Sequence, residues 1–408
     1  MLKVLNSTQE INKRKVMPVL YHEFQDLRLS SLGMGNMRLP TLNGGPAIDE
    51  ATARPILEYA YQSGINYYDT AYSYHGGASE RFVGKVMGQF PRDTWYLASK
   101  MPGHMMNWKN GKLGFQGYMV GSKATAPSDI FEEQLEKCGV DYFDFYLLHN
   151  LSEASIDFYM NEDVALVDYL LAQKKAGRIR HLGFSAHGRA DTIEQFINWR
   201  DCFEFAQIQL NYMDWTLQEA RRSYELLAQR GIPVVVMEPC RGGKLATLTG
   251  QASALLKNAR PNDSLASWAF RFLQSLPGVK VVLSGMSTLE QLKENIALFA
   301  KHDPVTPAEA ELLQQAVSTM VSLVPCTACG YCRDGCPQQL HIPKLISMYN
   351  EISYESSFSL GLVLRAMAES ELPSACIACN ACSPVCPQGI DIPSVMTRFA
   401  TILAESHK

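Results

Sequence analysis

Eight of the eleven cysteines crowd into residues 326–386, in two runs of identical spacing. Cys326-x2-Cys329-x2-Cys332-x3-Cys336-Pro337 recurs as Cys376-x2-Cys379-x2-Cys382-x3-Cys386-Pro387. The match continues past the thiols, CPQQLHIPKL against CPQGIDIPSV, with Pro343 and Pro393 placed to open helices. This is an internal duplication, and only Cys138, Cys202 and Cys240 precede it. No stretch near the start joins a basic flank to an apolar run and a cleavage site, and no run of roughly 18 apolar residues occurs, so the chain is expected in the cytoplasm and off the membrane. There, crowded thiols point to metal rather than disulfides, because cellular thiols keep structural disulfides reduced.

The spacing is that of bacterial ferredoxins, in which a tight triplet of thiolates surrounds one iron–sulfur cube and the fourth cysteine reaches the other. On that logic Cys326, Cys329, Cys332 and Cys386 hold one [4Fe–4S] cluster, and Cys376, Cys379, Cys382 and Cys336 a second. Zinc is the competing reading, since paired Cys-x2-Cys units suit tetrahedral sites. Zinc ribbons use two pairs, however, whereas each run here has four cysteines and a following proline. Helical patterns at Ile342–Glu351 and Leu360–Glu369 make this part similar to the helical ferredoxins of fumarate-reductase-type iron–sulfur subunits; a compact βαβ ferredoxin leaves less room.

Before the cysteines the pattern differs. From about residue 30 to 302, short runs of Val, Ile, Leu, Phe and Tyr alternate with amphipathic segments of helical length, the pattern of repeated βα units. The expected strands are Ser30–Gly35, Asn66–Ala71, Trp95–Lys100, Tyr142–His149, Ile179–Ala186, Phe205–Tyr212, Pro233–Pro239 and Val279–Gly285. Ile48–Gln62, Ile130–Lys137 and Asp163–Ala176 are among the helices between them, and Gly64, Gly139, Gly177 and Gly231 mark helix-to-strand returns. Eight such units close a parallel (β/α)8 barrel of the TIM type. Met101–Ala126 is the longest irregular connection and lies over the face where such barrels place their sites. After Lys301, Asp303-Pro304 and Thr306-Pro307 break the pattern, and Ala308–Leu323 reads as a helix leading to the first cysteines. The expected organisation is an N-terminal extension over 1–24, a barrel over 25–302, and an all-α dicluster domain over 303–408. Within the extension, Lys13-Arg14-Lys15 is a solvated basic run. Lys and Arg total 37 against 41 Asp and Glu, a net charge of −4, which gives no reason to expect nucleic acid as a partner.

Four reactive residues fall at the C-terminal ends of the expected strands or just beyond: Asp69, Tyr74, Lys100 and His149. Singly each has a plain explanation, as a helix cap, a solvated cation or a satisfied core histidine. Together they make a constellation. Hydride reduction of a carbonyl builds negative charge on oxygen and needs a proton donor; a free tyrosine, with a pKa near ~10, is a weak one. Lys100 is expected to lower the Tyr74 pKa, Asp69 to hold Lys100, and His149 to orient the carbonyl.

Over residues 25–300 the barrel resembles the aldo-keto reductases. The resemblance rests on Asp69-Thr70-Ala71-x2-Tyr74, Leu97-Ala98-Ser99-Lys100, Asp144-x-Tyr146-Leu147-Leu148-His149, Gly183-Phe184-Ser185 and Glu294-Asn295. It implies a small-molecule carbonyl substrate, Asp69, Tyr74, Lys100 and His149 as the catalytic tetrad, and NADPH or NADH across the barrel mouth. Ser185 and Gln207 match the groups that hold the carboxamide, but the asparagine usual after the serine is Ala186, followed by His187. Met237 stands where many relatives stack an aromatic ring on the nicotinamide. The lysine and arginine with which NADPH-preferring relatives grip the 2′-phosphate correspond to Gly285 and Gln291, which weakens an NADPH assignment. Asn295 matches best among the remaining cofactor contacts, with Ser287, Thr288 and Lys244 beside it. Loop residues His104, Trp108, Phe115, Tyr118, Tyr212 and Arg241 suggest a partly aromatic pocket, and Cys240 reads as a packing cysteine at the mouth.

A few barrels of this family carry a ferredoxin-like domain, and the whole chain resembles that branch. Nicotinamide gives two electrons as hydride while each cluster takes one, and no flavin motif is present to mediate. Three readings follow: a carbonyl reductase whose clusters stabilise, sense or dock a partner; clusters that conduct electrons between an electron-transfer protein and the barrel mouth; or an electron-transfer protein with an inactive barrel.

Overall fold

The computed structural model describes residues 19–321 and 323–406. Lys13-Arg14-Lys15 and the rest of residues 1–18 lie outside the described residues, as does the side chain of Tyr118. Twelve strands are present among the described residues: β1 (Tyr21–Phe24), β2 (Leu27–Ser30), β3 (Leu32–Gly35), β4 (Tyr67–Asp69), β5 (Tyr96–Met101), β6 (Met106–Lys109), β7 (Lys112–Phe115), β8 (Phe143–Leu151), β9 (Ile179–Ala186), β10 (Ala206–Gln209), β11 (Val234–Met237) and β12 (Val279–Ser284). Strands β3, β4, β5, β8, β9, β10, β11 and β12 close a parallel barrel in that order, one for each expected strand.

Alternation along the strands builds two cores. Phe145 and Leu147 of β8, Ala98 of β5, Tyr67 of β4, Phe205, Val235 and Leu283 form the cluster inside the barrel. Their neighbours Tyr146, Leu148, Leu97 and Tyr68 face the helices. Every residue of β8 is buried, as expected of a parallel strand covered on both faces. The hairpin β1–β2 plugs the N-terminal end, where Phe24 meets the rings of Phe145 and Phe205 at centroid distances of 5.4 and 6.2 Å. This hairpin spans position 25, where the barrel was expected to begin. Helix Pro127–Cys138 ends at Gly139, whose φ of 64° is the left-handed cap that glycine adopts without strain.

Two features differ from expectation. Met101–Ala126 is less irregular than its composition suggests, since β6 and β7 pair as an antiparallel hairpin within it. Helix Pro307–Met320 buries Leu313, Ala316 and Val317 in the barrel's outer core; its N-terminal Glu309 pairs with Arg260 and Arg271.

The C-terminal region is helical and its halves repeat with an offset of fifty residues. Ala328, Gly330 and Gln339 have positive φ, and so do Ala378, Asn380 and Gly389. Ile342, Leu345 and Ile346 share a core with Ile392, Val395 and Met396, and the equivalent rings Tyr349 and Phe399 lie 6.1 Å apart. The segment between the cysteine runs, with helices Ile342–Tyr354 and Phe358–Ala366, docks on the loops that follow β9, β10 and β11. Glu351 is fully buried there. It accepts hydrogen bonds from Arg189, from Gln218 at 2.9 Å and from Ser357, while Glu355 pairs with Lys244 and lies 3.9 Å from Arg241. No helix among the described residues is long and apolar enough to cross a membrane.

Candidate active site and paired cysteine cavities

The alternation that fills the barrel also aims its mouth. Two residues past Tyr67 comes Asp69, past Ala98 comes Lys100, past Leu147 comes His149, and past Phe205 comes Gln207. Each therefore takes the inward face, above the apolar plug. Lys100 and Asp69 are buried. The Lys100 Nζ donates to both Asp69 oxygens at 2.7 and 2.8 Å and to the Thr70 carbonyl at 2.7 Å, and lies 3.5 Å from the Tyr74 hydroxyl. The Tyr74 and His149 rings are 6.0 Å apart and nearly perpendicular. All four expected residues thus meet at one place.

The charges follow from burial. Desolvation lowers the Lys100 pKa, but Asp69 and Tyr74 more than offset it, so the ammonium stays charged. The phenol departs from expectation: burial raises the Tyr74 pKa by more than Lys100 pulls it down, and the net shift is upward. Tyr74 consequently keeps its proton at neutral pH, the form a donor must have. Burial, with His104, Lys100 and His187 adding to it, drives the His149 pKa well below its ordinary value, so the ring is neutral; its Nδ1 is buried without a partner. The backbone beneath is braced too. The His149 carbonyl accepts from Tyr159, and the His104 Nδ1 lies 3.0 Å from it, which makes that nitrogen the protonated one of a neutral imidazole. Behind Lys100, the buried Glu80 accepts from Ser99 and Gln134, both at 2.6 Å, and Gln134 also donates to the Lys100 carbonyl at 3.0 Å.

The expected cofactor contacts are scattered along the same rim. The Ser185 Oγ accepts from the Asn150 amide at 2.9 Å. Gln207 donates weakly to the Met237 sulfur at 3.8 Å and leaves its buried Oε1 unpaired. That orphaned acceptor suits a carboxamide NH2. Asn295 donates to Ser284 at 3.1 Å, and the Gln291 Oε1 accepts from the Ser287 amide at 2.9 Å. A Cβ on Gly285 would meet the Arg38 Cγ at 2.7 Å, so the glycine admits an arginine from the loop after β3. Lys244 is already paired with Glu355. Cys240 is shielded, and burial pushes its thiol up to about 12, an inert group.

Sequence reasoning did not single out Arg38, Asn150, Glu80 or Gln134. Asn150 has a φ of 61° and a buried Oδ1 without a partner, beside the serine whose usual asparagine neighbour is absent. Its position right after His149 at the C-terminal end of β8 is the sequence feature by which it was discoverable.

The cysteines line two cavities. One is bounded by Cys326, Cys329, Cys332 and Cys386; the other by Cys336, Cys376, Cys379 and Cys382. Matching linings and crossed fourth cysteines are what a duplicated pair of cube sites needs. Apolar side chains complete each lining, Ile346 and Ile390 in the first and Leu340 and Met396 in the second. Among the described residues, no three His, Cys, Asp or Glu converge on a point that one metal ion would occupy.

Comparison with known proteins agrees on both parts. Residues 31–317 match the aldo/keto reductase family, and residues 325–390 match a 4Fe-4S dicluster domain. The chain is 26% identical to the NADH-specific methylglyoxal reductase of Escherichia coli (strain K12) over 72% of its own length and 97% of that protein. It is 30% identical to the uncharacterized oxidoreductase YqkF of Bacillus subtilis (strain 168), over 71% and 93% respectively. Among solved structures, the holo form of the aldo-keto reductase AKR11C1 from Bacillus halodurans aligns with a TM-score of 0.57 at 25% identity, covering 73% of this chain and 96% of that one.

Proposed function

The chain belongs to the aldo/keto reductase family, and from that premise we propose that it reduces small aldehydes or ketones with NADH or NADPH, Tyr74 giving the proton. The observation that carries this reading is the Lys100 Nζ, held by Asp69 at 2.7 Å and lying 3.5 Å from the Tyr74 hydroxyl. As negative charge grows on the carbonyl oxygen, the phenol releases its proton and the adjacent ammonium stabilises the phenolate left behind. Neutral His149 donates a hydrogen bond to the same oxygen without competing as an acid. The bound nicotinamide supplies the hydride; Gln207, Ser185 and Asn150 are the groups that would hold its carboxamide, and Met237 would pack against its ring. Asn295, Gln291 and Gly285 would border the nucleotide's far end, with Arg38 packed against Gly285.

Methylglyoxal and NADH are the first substrates to try, given the activity named for the Escherichia coli relative. Tyr74→Phe tests the reading. Loss of a general acid lowers kcat by about a hundredfold to ten-thousandfold; unchanged carbonyl reduction by the variant refutes the assignment.

In the dicluster domain, Cys326, Cys329, Cys332 and Cys386 would hold one [4Fe–4S] cube and Cys376, Cys379, Cys382 and Cys336 the other. Eight free thiols suit the reducing cytoplasm. Two cavities each walled by four thiols favour cubes over zinc, which needs all four sulfurs within bonding reach of one centre. Because the segment between the runs docks on the barrel mouth through Glu351 and Glu355, the clusters' first role is to hold that segment in place, with an electron-transfer protein as external partner. Anaerobic titration with NADH and NADPH tests this role: brown absorbance that persists supports clusters electrically separate from the barrel, and bleaching by nicotinamide alone supports conduction instead.

A further inference from the structure

Part of the rim around the barrel mouth comes from outside the barrel. His187 follows β9, its Nδ1 lies 3.1 Å from the Ser359 Oγ, and its ring meets the Phe358 ring edge-on at 5.4 Å. Both partners belong to the segment between the two cysteine runs. The turn that delivers them is pinned from three barrel loops: Glu351 by Arg189 after β9 and Gln218 after β10, and Glu355 by Lys244 after β11. Ser357, which caps the helix bearing Phe358, also donates to Glu351. These contacts, buried at Glu351 and partly exposed at Glu355, leave the turn little freedom. They nevertheless hold Phe358 with 61% of its surface exposed, although a ring of this size ordinarily gains by burial. A rigidly mounted, bare aromatic ring beside a histidine of the mouth has the character of an unfilled half of a binding site.

We propose that Phe358 contacts the substrate of the barrel, selecting carbonyl compounds with a flat apolar substituent. The inference rests on the carbonyl-reductase reading of the same mouth. A substrate bound with its carbonyl between Tyr74 and His149 would extend its substituent past His187 onto the Phe358 ring, and small carbonyl compounds would not reach it. The region between the cysteine runs thereby sets specificity for chemistry performed by the barrel.

The test compares Phe358→Ala with wild type in the full chain, using 4-nitrobenzaldehyde as the aromatic probe and methylglyoxal as the small one. Iron content and cluster absorbance establish that the variant is folded. An aromatic contact contributes a factor of about two to twelve, so kcat/KM for the aromatic aldehyde is expected to fall about fivefold to tenfold, mainly through KM. The value for methylglyoxal should change less than about twofold, and Phe358→Tyr should restore the wild-type ratio. Equal losses on both probes, or none on either, overturn the proposal. Calorimetric binding of 4-nitrobenzaldehyde to Tyr74→Phe, with and without Phe358→Ala, separates the two readings. A wild-type chain that turns over neither probe sinks the reductase reading, whereas aromatic affinity indifferent to Phe358 sinks this one even where reduction proceeds.

Discussion

Replacing Lys100 with methionine removes the ammonium and keeps the length of the side chain. At 3.5 Å from the Tyr74 oxygen, a unit positive charge stabilises a full phenolate by about 5 kcal/mol at an effective dielectric constant of about 20. Proton transfer half complete in the transition state draws on about half of that. The expected loss in kcat therefore lies between about 50-fold and about 3000-fold, with little change in KM if the carbonyl is bound by other groups. Steady-state nicotinamide oxidation at neutral pH, with saturating aldehyde, measures it. The substitution also strands Asp69, a buried carboxylate that loses both its short contacts to Nζ, at a cost of about 3 kcal/mol or more in stability. Thermal denaturation separates the two effects: Asp69→Asn combined with Lys100→Met should recover much of the stability and none of the rate. A Lys100→Met enzyme that keeps more than about a tenth of wild-type kcat would mean that charge beside the phenol is not what drives proton release.

Three further outcomes follow from the geometry. Glu351→Leu leaves Arg189 buried without its carboxylate and should cost about 3–5 kcal/mol in denaturant unfolding, whereas adding Arg189→Leu should return a large part of it; strictly additive losses would contradict the pairing. Burial holds the His104 and His187 pKa values down at about 4, below their unfolded value near ~6.5. Between those values the unfolded chain binds more protons, so stability should rise with pH across roughly pH 4 to 6.5, by at most about 3 kcal/mol per histidine, and a flat acid limb in urea midpoints would count against neutral buried rings. Cys336→Ser should lower reconstituted iron from about eight to about four per chain; adding Cys376→Ser should then remove little more, and adding Cys326→Ser should remove the rest. The opposite pattern would show that each run ligates its own cube.

The inward-facing half of the site is legible in the sequence because a strand's period of two carries the apolar interior of the barrel upward into Asp69, Lys100, His149 and Gln207. The crossed cysteines are legible for a similar reason, since fixed spacing repeated after fifty residues defines both loops at once. Strand ends are less so: β10 spans Ala206–Gln209, shorter than the apolar run Phe205–Tyr212, because Asn211 leaves the ladder to bond Asp214 at 2.6 Å. The hairpin β6–β7 hides among glycines and methionines that give no alternation. The sign of the Tyr74 shift needs the depth of burial, which the identity of its neighbours does not supply. Contacts such as Arg189 with Glu351 or Arg38 against Gly285 join residues distant in the chain, and no local pattern announces them.

The carboxylates that fasten the cysteine-rich half to the barrel bear on how the protein can be dissected. A barrel cut free just after helix Pro307–Met320 would lose Glu351 and Glu355 together, leaving Arg189 and Lys244 without these carboxylates and Arg241 with Asp214, 3.1 Å away, as its remaining acidic partner. Its opening would become a cationic funnel that attracts sulfate, phosphate and nucleotide alike. The excised barrel is thus expected to bind more tightly to a cation exchanger and to show nucleotide affinity steeply dependent on ionic strength. Subtracting its kinetics from those of the intact chain would measure a new surface as much as a missing one.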